Sequence, residues 1–283
     1  MGLIGIMQGR LLPPVDERIQ AFPRDGWAAE FELASAAGLG CIEWIYDQHG
    51  ADVNPIGSAM GITRMRELMS QSGVVVRSLC ADCLIERPLV RTTEGERTER
   101  LNQLQWLLGQ CRQLGMNRLV LPFVDRSAIT TRAEEEDVAK SLLQVLPVAE
   151  QSGVELHLET ALDPQTFRSF LARFPHRVVK VNYDSGNSAS LGYRPSEEFA
   201  AYGERIGSVH IKDRKLGGGT VPLGSGDADL GAVFTGLKVI GYSGDFILQV
   251  ARGIAGDELA WAEHNRNYLE THWLEAHDGS RLH

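Results

Sequence analysis

Eight times along this chain a short apolar run is followed by a stretch with helical spacing, and no other feature restricts the fold so tightly. The apolar runs are Leu3 to Met7, Cys41 to Ile45, Val74 to Cys80, Asn117 to Leu121, Val154 to Glu159, Val178 to Tyr183, Ile206 to Ile211 and Ser243 to Val250. Their length suits strands. The stretches between and after them predict helices over about Trp27 to Ala37, Met60 to Ser72, Glu96 to Leu114, Ala133 to Gln151, Gln165 to Arg173, Ser196 to Tyr202, Leu230 to Ile240 and Asp257 to Trp273. In the third of these, Leu101, Leu104, Leu107 and Leu108 share one face. Gly38, Gly73, Gly115, Gly153 and Gly241 stand where helices stop, as a left-handed C′ residue would. Loop signals recur roughly every 30 to 40 residues, the repeat of a βα unit. With no linker or low-complexity block, residues 1–283 are read as one α/β domain, a single (β/α)8 TIM-type barrel. An open Rossmann-like sheet is the alternative. Against it, no Gly-x-Gly-x-x-Gly joins a strand to a helix, and Gly217 to Gly219 lie in a loop too long for that turn.

Composition narrows the function classes. The chain carries 28 Lys plus Arg against 37 Asp plus Glu, a net charge of −9, which opposes a broad nucleic-acid or anionic-lipid surface. No apolar run reaches the ~18 residues of a membrane span, and Arg10 interrupts the N-terminal segment before a secretory signal could form. A cytoplasmic protein with no membrane partner is expected. Cys41, Cys80, Cys83 and Cys111 are too few for a disulfide scaffold. Cys80-Ala-Asp-Cys83 has CxxC spacing, but no second pair follows and the residues before it form an apolar strand, so a structural role is expected.

In a TIM barrel, chemistry sits at the C-terminal strand ends. Alternation puts Glu155, His157 and Glu159 on one face of the fifth strand, with Val154, Leu156 and Leu158 on the other, against the helices. Glu159 then projects into the barrel mouth, one layer above His157. The sixth strand pairs Asn182 with Asp184, the seventh aligns Ser208, His210 and Lys212, and the eighth turns Ile247 and Gln249 inward. Four neighbouring strands thus deliver Glu159, Asp184, His210 and Gln249 to one rim. Two carboxylates, an imidazole and an amide oxygen suit one divalent ion such as Mn²⁺, Mg²⁺ or Zn²⁺.

The segments LHLET (156–160), VNYDSGN (181–187), SVHIKDRK (208–215), VPLGSGDADL (221–230) and GYSGDFIL (241–248) resemble the xylose-isomerase-like TIM-barrel superfamily of sugar and sugar-phosphate isomerases and epimerases. Within it the chain is most similar to the L-ribulose/L-xylulose 5-phosphate 3-epimerases. The resemblance implies a metal held by Glu159, Asp184 and His210, a sugar or sugar-phosphate substrate, and proton abstraction beside a carbonyl with Glu159 as base. It breaks at the fourth ligand. Family members have Glu where this chain has Gln249, and in family epimerases two glutamates exchange the proton on opposite faces. An amide offers an oxygen but no exchangeable carboxyl proton. This favours same-face aldose–ketose isomerisation unless Glu43 or Asp82 supplies a second proton.

Other residues at the mouth are candidates for substrate contacts. Lys212 is placed to stabilise an oxyanion or bind phosphate. Arg10, Lys215 and Arg252 are candidates for an anionic group, and Glu43 and Asn187 for further substrate binding. The glycine-rich 215–220 loop has the make-up of a lid, and Trp27, Trp44 and Trp106 are either a sugar wall or core. A sugar dehydratase on the same scaffold and a non-catalytic sugar-phosphate-binding protein are the competing readings. The apurinic endonuclease branch of the fold is disfavoured by the negative charge, and four of the eight histidines, His264, His272, His277 and His283, lie in or after the last helix. A homo-oligomer paired through outer helices stays open.

Overall fold

The structure, a computed structural model, describes residues 1–278; His283 lies outside the described residues. Eight parallel strands close into a barrel: β1 (Ile4–Met7), β2 (Cys41–Ile45), β3 (Val75–Cys80), β4 (Arg118–Phe123), β5 (Glu155–Thr160), β6 (Val179–Asp184), β7 (Ile206–Ile211) and β8 (Phe246–Leu248). Each pairs with its sequence neighbours, and β8 returns to β1 with Ile4 opposite Phe246 and Ile6 opposite Leu248. The open-sheet alternative is thereby excluded.

The alternation seen in the sequence becomes two separate cores. Outward residues such as Leu156 and Leu158 pack under the helices in the main core, whereas Met7, Cys41, Ile45, Cys80, Val120 and Ile247 fill the barrel interior. Around the sheet run α1 (Glu30–Ala36), α2 (Ala59–Ser72), α3 (Cys83–Glu86), α4 (Glu94–Leu114), α5 (Arg132–Ser152), α6 (Pro164–Leu171), α7 (Ser185–Leu191), α8 (Pro195–Tyr202), α9 (Leu230–Val239) and α10 (Glu258–Asp278). Helix α4 begins with a Thr93/Glu96 capping box and α5 with a Thr131/Glu134 one, and Gly115 and Gly153 end them in the left-handed region. None of the described helices is long and apolar enough to cross a membrane.

Three departures from the expected pattern have local causes. Helices α3 and α7 are extra; they span only 4 and 7 residues, too short to show a periodicity. The eighth strand is shorter than Ser243 to Val250, because the Asp245 carboxylate, not a strand partner, accepts the Leu3 N–H at 3.0 Å. The chain nonetheless stays extended past β8, where Gln249 N–H donates to Ile211 O at 3.1 Å. The third departure is the 215–220 segment, whose residues 215–219 form the turn of a hairpin pairing Asp213–Arg214 with Thr220–Val221.

Glu30 on α1 is fully buried; one carboxylate oxygen accepts from Gly9 N–H at 2.6 Å, and Oε2 has no partner. Burial raises its pKa to about 8, against the opposing pull of the Gly9 and Leu11 N–H groups. Because the folded pKa lies above the unfolded value of ~4.3, Glu30's contribution to stability is complete below that value and is lost as pH rises through about 8. Urea midpoints at pH 5 and pH 8.5 should show the wild type losing at least ~1 kcal/mol more than Glu30→Gln over this interval. Equal losses in the two proteins would contradict this assignment.

Candidate functional site

At the C-terminal mouth of the barrel a cavity of about 410 Å³ is walled by groups from both halves of the chain, among them Arg10, Asp82, Glu159, Asn187, Lys212 and Gln249. Its floor is built by the strand ends. Glu159 is the penultimate residue of β5, Asp184 the last of β6, His210 the penultimate of β7, and Gln249 follows β8 directly. Ligand atoms of Glu159, Asp184 and His210 all lie within 4.8 Å of one another, a spacing that one divalent cation can bridge.

Each donor is aimed by a neighbour. Asp184 caps α7: its Oδ1 accepts Asn187 N–H at 2.7 Å, which leaves Oδ2 toward Lys212 and His210. The Glu159 carboxylate accepts from the amides of Asn182 (2.8 Å) and Asn187 (2.6 Å). Asn182 is itself oriented, because Ser208 Oγ donates to its Oδ1 at 2.6 Å. The His210 ring places Nε2 2.6 Å from Glu43 Oε1, and its Nδ1 lies 3.1 Å from Asn182 Nδ2, facing Glu159 Oε2 (3.4 Å) and Asp184 Oδ2 (3.9 Å). A carboxylate behind a metal-binding imidazole fixes its tautomer and raises its basicity.

The electrostatics agree with a cation site. Burial opposes charge on His210, yet Glu43 and Glu159 outweigh it and raise the ring's pKa to about 10. The same field favours a divalent cation at Nδ1. Burial also works against an ionised Glu159, but the hydrogen bond and charge of His210, then Lys212 and Asn182, hold its carboxyl below the usual range. Asp184 is pushed upward, by burial first and by the neighbouring Glu159. Lys212 Nζ lies 3.4 Å from Asp184 Oδ2, 3.2 Å from Asn187 Oδ1 and 3.1 Å from Gln249 Oε1. Gln249 therefore presents its oxygen, not its nitrogen, to the cationic side of the cavity. The close approach needs a glycine: a Cβ on Gly186 would lie 2.6 Å from Lys212 Cγ.

The remaining sequence candidates separate by position. Arg10 and Asn187 line the cavity, but the Arg10 guanidinium is occupied by Val250 O, Ile19 O and Gln20 Oε1. Glu43 lies fully buried beneath the floor against His210, and is not in the wall. Lys215 sits outside the cavity with Nζ 3.9 Å from Asp227, and Arg252 is spent on the carbonyls of Gly9, Leu12 and Ile19. Trp44 is core, packed against Phe22, Trp27 and Phe31, and Trp106 packs on Tyr46; none of the three tryptophans lines this cavity. All four cysteines are buried and free, and burial pushes the Cys80 and Cys83 thiols up, away from the reactive thiolate form.

Sequence reasoning did not single out Gln20 or Arg214, and it noted Asn182 only for its face. Gln20 comes from the long loop after β1, which has no periodicity to read. Arg214 belongs to the hairpin, and donates to Asn187 Oδ1 at 2.8 Å and to Gly218 O. Period-two alternation beside Asp184 was the signal available for Asn182.

Comparison with known proteins gives concordant results. The family model for the xylose isomerase-like TIM barrel matches residues 31–272. SgbU of Escherichia coli (strain K12), named provisionally as an L-ribulose-5-phosphate 3-epimerase, is 22% identical over 88% of this chain and 92% of its own. A solved L-ribulose 3-epimerase superposes with a TM-score of 0.78 at 19% identity, covering 100% of this chain and 98% of the other. The IolI protein, solved with a bound zinc atom, has a TM-score of 0.73 at 18% identity and 97% coverage of both chains.

Proposed function

The chain belongs to the xylose isomerase-like TIM-barrel family, and from that premise we propose that it is a divalent-metal-dependent isomerase or epimerase of a sugar or sugar phosphate. The observation that carries this is the convergence of Glu159, Asp184 and His210 at the strand ends, with Glu159 in the wall of the cavity that Lys212 and Gln249 also line. A Mn²⁺, Mg²⁺ or Zn²⁺ ion held by those three side chains and the Gln249 amide oxygen would polarise the substrate's carbonyl and make the adjacent carbon acidic.

The chain's own groups do the rest. Glu159, kept ionised by its donors, takes the proton from the carbon beside the carbonyl. The Lys212 ammonium faces the oxygen on which negative charge grows. Asn187 and Asn182 hold the base in place before and after transfer. For aldose–ketose isomerisation Glu159 returns the proton to the neighbouring carbon on the same face. The names of the relatives make L-ribulose and L-ribulose 5-phosphate the first substrates to try.

Titration of the metal-stripped protein with Mn²⁺, followed by electron paramagnetic resonance, should saturate at one ion per chain. Asp184→Asn should weaken binding by at least about 10-fold, in keeping with the loss of a charged ligand. With Mn²⁺ loaded and D₂O as solvent, deuterium should enter the carbon beside the carbonyl of one of the two sugars. No binding at millimolar Mn²⁺, or binding with no exchange into either sugar, would defeat the proposal.

A further inference from the structure

Inverting a carbon centre needs a proton delivered to the face that Glu159 does not serve, and the Gln249 amide cannot supply one. Among the described residues, the other carboxyl groups lining the cavity are Asp47, Asp82, Glu86 and Asp125. Both Asp47 oxygens are taken by backbone N–H groups, those of Phe22 (2.8 Å) and Gly50 (2.7 Å). Glu86 is paired with Arg18 at 3.3 Å, and Asp125 is exposed at the rim. Glu43, the other acid considered from sequence, is sealed under the floor and bonded to His210.

Asp82 differs in its partners: both of its oxygens also accept hydrogen bonds, but from the side chains of Gln20 and Cys80 and not from backbone N–H groups. It is buried at 8% exposure while still lining the open volume, and makes no ion pair among the described residues. Its Oδ2 accepts from Gln20 Nε2 at 2.6 Å and its Oδ1 from the Cys80 thiol at 3.1 Å. Gln20 Oε1 in turn accepts from Gln249 Nε2 at 3.0 Å, with Arg10 Nη2 at 3.3 Å. One amide therefore joins the non-ionisable residue at position 249 to a carboxyl group. Asp82 follows β3, four strands from β7 and two from β5 in the ring of eight, so it stands across the mouth from His210 and Lys212 and to one side of Glu159.

We propose that Asp82 is the second proton-transfer residue of this site, serving the substrate face away from Glu159, and that the chain is consequently an epimerase despite the amide at position 249. This rests on the enediolate reading above. In one direction Glu159 takes the C–H proton and the electron pair moves into the carbonyl, giving an enediolate. The Asp82 carboxyl group then gives its proton to the same carbon from the other face as the carbonyl re-forms. The reverse reaction exchanges the two roles, and solvent in the open cavity resets both acids without any oxidant or reductant. The environment suits the task. Burial, then the charges of Asp47 and Glu159 against the Gln20 and Cys80 hydrogen bonds, brings the Asp82 pKa to about 6, where acid and base forms coexist near neutrality.

The test uses the Mn²⁺-loaded protein in D₂O with L-ribulose and L-ribulose 5-phosphate. Wild type should form the inverted sugar carrying deuterium. Asp82→Asn should bind Mn²⁺ normally and lose inverted product by at least about 100-fold, while recovered substrate still gains deuterium through Glu159. Asp82→Ala should regain product on addition of formate, a small replacement acid. Product formation within threefold of wild type in Asp82→Asn, joint loss of exchange and product with Mn²⁺ still bound, or absence of formate rescue would overturn the assignment. Failure of wild type itself to exchange either sugar would instead defeat the enediolate reading, and this inference with it.

Discussion

Replacing Glu159 with glutamine should lower turnover by roughly 10²- to 10⁴-fold at saturating Mn²⁺, the range expected when a positioned general base is removed. The substitution keeps the side chain's length and one oxygen, so loss of shape is not the cause. It removes the group that can hold a proton. It also puts an NH₂ where both carboxylate oxygens now accept, from Asn182 Nδ2 and Asn187 Nδ2, so one donor must face another. Mn²⁺ affinity should therefore fall as well, and turnover must be compared at ion concentrations that saturate the variant. Deuterium exchange into recovered substrate should disappear together with product, unlike in Asp82→Asn, where exchange persists. Turnover within tenfold of wild type, with the ion bound, would remove Glu159 from the role of base. Persistent exchange without product would move Glu159 to the second step.

How far the site could be read in advance follows from how its residues are placed. Glu159, Asp184, His210 and Lys212 were visible because each lies on or directly after a strand whose alternation tells inside from outside. Gln249 was visible as an inward position with an unexpected residue type. Helix ends marked by Gly73, Gly115 and Gly153 were equally plain, since those glycines take positive φ at the helix stops. The contacts that tune the site were not visible. Gln20 meets Asp82 across 62 positions and Gln249 across 229, and no local pattern in the loop after β1 announces either contact. Arginines were the least legible. Arg252 and Arg10 carry the charge an anion would want, but their guanidinium groups are consumed by backbone carbonyls of the loops they tie together. Charge and position near the mouth do not distinguish a free cation from a loop clamp; only the unmet carbonyls of a long loop do.

At the opposite end of the barrel a different kind of residue sets stability, and Asp245→Ala should cost about 3–5 kcal/mol, measured as a lowered urea midpoint at unchanged slope. Asp245 sits just before β8 with only 4% of its side chain exposed; its Oδ2 pairs with Arg118 of β4, which is 8% exposed. Its Oδ1 accepts the Leu3 N–H at the start of β1 and lies 3.5 Å from Arg77. Removing the carboxylate leaves a buried guanidinium without its counter-charge and an N–H without its acceptor, at the seam where β8 closes on β1. Burial alone would lower the Arg118 pKa, and its hydrogen bond and charge contact with Asp245 more than reverse this; without Asp245 that compensation is lost, yet a guanidinium is too basic to shed its proton near neutrality and so carries the penalty. The double variant Arg118→Met, Asp245→Ala should recover part of the loss, because a neutral pair no longer strands a charge. Mn²⁺ binding in the folded fraction should be unaltered, since the donors lie at the other rim. A cost below ~1 kcal/mol for Asp245→Ala would show that water reaches Arg118, and that the barrel's lower end is not sealed by this pair.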